Sequence, residues 1–354
     1  MASNRPSTLL LRVDGFGWQD CLATGPGSAI LGSLLFSALF PAPMSVKFLL
    51  RVAGTLLLAW AAAAACVALH TPLPWMLGPL VATSVLSMAG APTESWGPLR
   101  NGGQWAIGAA LGLYFTPEVS ALVGSLWWAI VLGIGWALLL GWGFGAWLYR
   151  LHAPRMHGVP ASMLRSTSYF AGAIGAASEM TLLSERENAR TDLVAASHSL
   201  RLLIVTITIP FALQWSGLQG LDILTPTVRD VSWPGLALLA LLTGAGALVM
   251  DRLGRANPWF MGAMLVSMAV TMAGLHLSAV PQAVVNAAQL VIGVSLGVRF
   301  RAEFLHTAPR WLASVAVGTF GLMGICAAFA AVLAWATGLP WVTLLLGTSP
   351  GGIT

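Results

Sequence analysis

Four stretches of this chain, 52–69, 202–221, 231–250 and 311–336, run without one charged side chain. Each is close to the roughly 20 apolar residues that cross a hydrocarbon layer about 30 Å thick. No water reaches backbone N–H and C=O groups inside such a layer. Each segment must pair them internally, so each forms a helix. The composition agrees: 57% of residues are hydrophobic and 8% are charged, against about 25% charged in soluble domains. The chain reads as an all-α polytopic membrane protein.

A second pattern lies over the first. "PWMLGPLVATSVLSMAG" from Pro74 returns as "PWFMGAMLVSMAVTMAG" from Pro258. "NGGQWAIGAALGLYFTPE" from Asn101 returns as "NAAQLVIGVSLGVRFRAE" from Asn286, and "GVPASML" at Gly158 more weakly as "GLPWVTL" at Gly338. Two homologous halves, residues 44–220 and 230–354, therefore share one plan. Orientation follows from Lys and Arg in short loops, which favour the cytoplasm. With Lys47 and Arg51 inside, successive spans return the basic loop 150–157 inside. If 162–180 re-enters on one side, Arg186, Arg190, Arg201, Arg252, Arg255, Arg299, Arg301 and Arg310 are inside as well. Each half then holds an odd number of spans, and the halves are inverted repeats with a re-entrant or broken helix in each, an architecture common in secondary transporters. If 162–180 simply spans, several arginines fall on the wrong side.

Both ends of the chain differ from this plan. Residues 1–43 carry Arg5, Arg12, Asp14 and Asp20 and a short apolar run, while "MSVKFLLRVAGTLLLAW" from Met44 reads like a natural membrane-protein start. The extension is either a start assigned too far upstream or a signal peptide. At the other end, Pro350-Gly351-Gly352-Ile353-Thr354 aligns with Ile174-Gly175-Ala176-Ala177-Ser178, and the first copy continues through Glu179 and Met180 into a further span. The second half is expected to be truncated inside its copy of this motif.

The Pro-Trp-x-x-Gly opening, the Asn-x-x-Gln-x-x-Ile-Gly-x-x-Leu-Gly block and the Pro-Gly-Gly signature, with "SEM" in the first copy, resemble the membrane AbrB family over residues 47–354. These are bacterial inner-membrane proteins with a duplicated domain, named for a regulator of aidB expression and sometimes labelled ammonia monooxygenases. The resemblance implies an inner-membrane location and a part in regulating gene expression. Ile174 and Ala176 depart from the family's Pro and Gly.

Among single residues Glu179 is the sharpest candidate. It follows the small-residue run Gly172, Gly175, Ala176 and Ser178, and an ionisable group within a membrane segment often marks a solute or proton path. The alternative is a headgroup-level carboxylate that opens the polar stretch "SERENARTD". Asn101 with Gln104, and Asn286 with Gln289, share a helix face in each half. They either hydrogen-bond across helices or line a polar path, together with Gly175, Pro350, Gly351 and Gly352. Gly108/Gly112 and Gly293/Gly297 are small-residue pairs suited to close helix packing. The six histidines are scattered and the three cysteines make no CxxC pair, so no metal site, cofactor or enzyme activity is expected. No module that reads nucleic acid is present. The expected partners are the lipid bilayer and an unidentified small solute, and assembly as a homo-oligomer stays open. Two functions remain: a regulator with transporter-like architecture, or a secondary transporter or channel with no regulatory role.

Overall fold

The computed structural model describes residues 45–156, 158–175, 177–217, 230–300 and 308–350, with only the backbone of Ser178. Residues 1–43, Gly351 and Gly352 lie outside the described residues. Those described form thirteen helices and no strand. They are α1 (Val46–Ala68), α2 (Pro74–Met88), α3 (Gly97–Gly112), α4 (Pro117–Ser125), α5 (Trp127–His152), α6 (Ala161–Gly172) and α7 (Ala177–Arg186). The series continues with α8 (Thr191–Ser216), α9 (Trp233–Arg252), α10 (Pro258–Met272), α11 (Gln282–Gly297), α12 (Pro309–Thr337) and α13 (Trp341–Thr348). Five of them, α1, α5, α8, α9 and α12, are long and apolar enough to cross a membrane. The pair α3 and α4, bent by 83° at the break between them, makes a sixth if counted as one span. Every helix from α2 to α13 belongs to one compact unit that begins at Leu50.

Proline sets several helix starts. Pro74 and Pro258 occupy the first turns of α2 and α10, where the missing N–H costs nothing. The residues before them, Leu73 and Asn257, both adopt left-handed backbone, at φ 44° and 47°. For Leu73 that conformation is costly, of order 1–2 kcal/mol, so the surrounding turn must hold it.

The matched blocks pack on each other reciprocally. A Cβ on Gly112 of α3 would lie 2.6 Å from the Met264 carbonyl oxygen of α10, and Gly108 sits against Phe260. A Cβ on Gly293 of α11 would lie 2.6 Å from the Met76 carbonyl oxygen of α2, and one on Gly297 would lie 2.8 Å from that of Leu80. Met76 and Leu80 hold the places in the first block that Phe260 and Met264 hold in the second. Gly78 likewise abuts Ala62 of α1 as Gly262 abuts Gly246 of α9. Glycine is required at these points because backbone meets backbone. Trp105 of α3 donates its indole N–H to Thr243 of α9 (3.0 Å). The matching positions, Leu290 and Ala59, touch in one apolar cluster.

Directions follow from the same contacts. Gly103 of α3 meets Ala288 of α11, whereas Trp96, Leu99 and Arg100 share a small cleft with Val291, Val294 and Ser295. The two helices therefore run oppositely where they cross.

A second core joins α5, α6, α8 and α12 around Phe144, Leu148, Leu164, Val194, Trp311 and Val315. On its outer faces, Leu138 of α5 and Val317 of α12 are 70% and 68% exposed, which suits surfaces that face lipid. Trp127 opens α5, Trp215 closes α8 and Trp335 closes α12, all well exposed. Helix α12 runs alongside α8, with Trp311 at Ser197 and Ala316 near Leu203. Helix α5 runs against α6, which follows the start of α8. The three tryptophans thus share one end of the bundle, and Arg150, Arg155, Arg190 and Arg310 share the other. Such a division matches an aromatic belt at one interface and a basic one opposite.

Candidate functional site

The segment read as one re-entrant unit, 162–180, is broken in two. Helix α6 stops where Ala173 turns to extended backbone, at ψ 142°, and α7 begins at Ala177. With 12 and 10 residues and a rise of about 1.5 Å each, neither helix reaches across a membrane. Thr167 of α6 accepts a hydrogen bond from the Arg190 N–H at the start of α8 (3.0 Å). Ala173 lies eleven residues further along α8, at Arg201. Helices α6 and α7 therefore form a hairpin beside the first half of α8, with residues 173–175 at its tip.

Breaking a helix leaves its last carbonyls without partners. Here two side chains from one turn of α8 satisfy four in succession. His198 Nε2 donates to the Phe170 carbonyl oxygen (2.8 Å). Arg201 Nη1 donates to Ala171 (3.3 Å) and Gly172 (3.1 Å), and Nη2 to Ala173 (2.7 Å). With Nε2 carrying the proton, His198 Nδ1 is free to accept from Arg201 Nη2 (2.9 Å), which assigns a neutral imidazole tautomer. Arg201 is 2% exposed. No carboxylate among the described residues pairs with it; the negative end of the α6 dipole takes that place. The Ser168 hydroxyl, buried on α6, has no hydrogen-bond partner.

Close packing holds the hairpin in place. Gly141 and Gly145 of α5 pack against the backbone of 168–174, and a Cβ on Gly172 would lie 2.7 Å from the Gly145 Cα. Four residues before Arg201 on α8, Ser197 accepts from the Trp311 indole (2.9 Å) and Trp311 packs on the His152 ring.

Glu179 sits in the first turn of α7, half-buried, where the helix dipole favours a carboxylate. Gly175 lies at the hairpin tip, and a Cβ there would meet only the flexible Met180 side chain. Pro350 is buried after α13. The Ser178 side chain lies outside the described residues. The amide candidates are elsewhere, on α3 and α11. Gln104 is buried and donates to Asn257 (3.5 Å), while Asn101 accepts from Arg100 (3.4 Å). Asn286 accepts from Gln282 (2.9 Å), and Gln289 is half-buried on the same helix. Among the described residues no hydrogen bond joins these amides to Glu179, so the candidates fall into two groups.

Two readings of the sequence are corrected. Arg201, counted with the cytoplasmic loop, is inside the 26-residue α8; the helix starts eleven residues before the apolar run because its polar side chains are satisfied within the bundle. His152, taken as a loop residue, closes α5 and is buried against Trp311 and Ser314. Sequence reasoning missed the His198–Arg201 pair. Its signal was an ionisable pair three residues apart, on one face, at the edge of an apolar run. Among the described residues, no three His, Cys, Asp or Glu converge as metal ligands.

Comparisons with known proteins give two matches. The family model described as "Transition state regulatory protein AbrB" matches residues 75–354. A protein of Escherichia coli (strain K12) named "Putative regulator AbrB" is 25% identical over 291 residues, covering 81% of this chain and 80% of that protein. No solved structure matches.

Proposed function

The chain belongs to the AbrB family, and on that basis we propose that it is an inner-membrane protein of two inverted repeats in which the α6–α7 hairpin forms part of a path for a small solute. The carrying observation is the broken hairpin whose tip is held by Arg201 and His198. Broken helices with backbone groups facing a cavity are the usual binding elements of secondary transporters. An ionisable group kept inside a membrane segment commonly serves such a path. The reciprocal glycine contacts and the opposed directions of α3 and α11 support the inverted reading. Glu179, beside the tip, is the residue proposed to face the solute.

A second reading rests on the relative's printed name, a regulator. Regulation would then be indirect, through a solute level or a sequestered partner, and is compatible with transport. The enzyme label is not proposed.

Topology tests the transport reading first. Single cysteines at Ala161, Arg190, Gly175 and Asp230 of the full chain are probed with a membrane-impermeant maleimide. Positions 161 and 190 are expected to react from one side, 230 from the other, and 175 through water. Reaction of 161 and 190 from opposite sides would make the hairpin a span and remove the inversion. In proteoliposomes, Glu179→Gln is expected to lower uptake of whichever probe the parent protein carries, radiolabelled acetate or methylammonium. Unchanged uptake removes Glu179 from the path.

A further inference from the structure

Away from the hairpin tip, the α5–α6 seam opens into a groove of about 260 Å³ lined by Trp142, Gly145, Ala146, Tyr149, Arg150, Arg165 and Tyr169. We propose that this groove binds one anionic phospholipid, with its phosphate between Arg150 and Arg165 and its acyl chains along the exposed face of α5.

The groove is graded along its length. Gly141 and Gly145 bring α5 and α6 into backbone contact toward the hairpin tip. Four residues further along, the helices separate around Tyr149 and Arg165, whose guanidinium lies 5.5 Å over the Tyr149 ring. Arg150, at the end of α5, lines the same space. Both arginines are exposed, and among the described residues neither has a carboxylate partner. Each guanidinium is a planar, multi-donor cation suited to a phosphate ester, and neither is neutralised by a carboxylate of the described residues. Stacking on Tyr149 orients Arg165 and lowers its hydration demand.

The apolar half of the ligand has its own surface. Above the arginines, Trp142 is 66% exposed, and Leu138, Leu139 and Ile134 continue the same exposed ridge along α5. A soluble phosphate would leave this ridge uncovered, whereas a diacyl lipid covers both parts at once. The groove also lies at the basic end of the bundle, where basic pockets between transmembrane helices recognise lipid headgroups.

The test is native mass spectrometry of the purified full chain, titrated with dioleoyl phosphatidylglycerol or dioleoyl phosphatidylcholine. The parent is expected to retain one phosphatidylglycerol with a preference of roughly thirtyfold, about fivefold for each arginine. The double variant R150Q/R165Q should lose that preference, and R155Q should keep it, because Arg155 is at the same end but outside the groove and donates to the Leu151 carbonyl. Both variants alter exposed side chains, and circular dichroism checks that they fold. Equal retention of the two lipids by the parent, a preference surviving in R150Q/R165Q, or an equal loss in R155Q overturns the proposal. Displacement of the lipid by millimolar inorganic phosphate would replace it with a soluble-anion site.

Discussion

Replacing Arg201 by methionine keeps most of the side chain's length and removes three of the four side-chain hydrogen bonds to the end of α6, leaving the one from His198. The carbonyl oxygens of Ala171, Gly172 and Ala173 would lose their partner, and His198 Nδ1 would lose its donor. A buried acceptor left unpaired costs about 1–3 kcal/mol. Three carbonyls therefore set a gross loss of roughly 3–9 kcal/mol. Against it stands relief from burying a cation, itself several kcal/mol. That relief offsets part of the loss, so the net is expected at about 2–4 kcal/mol, which lowers the melting temperature by roughly 3–6 °C. Thermal unfolding in detergent, followed by the fluorescence of the 16 tryptophans, reads this directly. R201K, with its charge on a single nitrogen, should fall between the two because it cannot reach all three carbonyls. Arg252→Met, an exposed residue at the end of α9, is the control and should melt with the parent. If R201M melts within a degree of R252M, the arginine does not hold the tip and the reasoning fails.

The glycine contacts give a paired prediction: Gly112→Ala and Gly293→Ala should each destabilise by roughly 1–3 kcal/mol through forced backbone separation, since each Cβ would meet a carbonyl oxygen at 2.6 Å. Gly133→Ala, where a Cβ meets open space, should be neutral or slightly stabilising in the same melts. Trp105→Phe and Thr243→Val should each cost about 1 kcal/mol, and the double variant no more than either single one, because both remove the 3.0 Å bond between α3 and α9. Additive losses in that cycle would mean that the bond contributes nothing.

Spans were legible in the sequence wherever the apolar pattern was uninterrupted. The runs 231–250 and 311–336 became α9 and α12 with their ends shifted by two residues or fewer. Where polar residues interrupt the pattern, legibility ended. The run beginning at Leu202 became a helix from Thr191 because Ser197, His198 and Arg201 all found partners inside the bundle, and hydropathy has no means of registering a partner. The amides were legible only as shared faces, with an interhelical bond or a polar path left open, and Gln104 makes the interhelical bond. Asn101, Gln104, Asn286 and Gln289 share faces as their spacing requires, yet their hydrogen bonds go to Arg100, Asn257 and Gln282 rather than to each other or to Glu179.

That this chain is a helical membrane protein follows from its residues alone, because backbone groups in lipid have no other way to be satisfied. The recurrence of glycine at matching places in the two blocks is likewise plain from the order of residues. What those glycines touch was settled by packing, since a small side chain announces close approach without naming the neighbour. Packing joined α3 to α10 and α2 to α11. It also brought Arg201 to the end of a helix that finishes 29 residues earlier in the chain. An orphaned carbonyl has no sequence signature, and what satisfies it depends on which helix lies alongside.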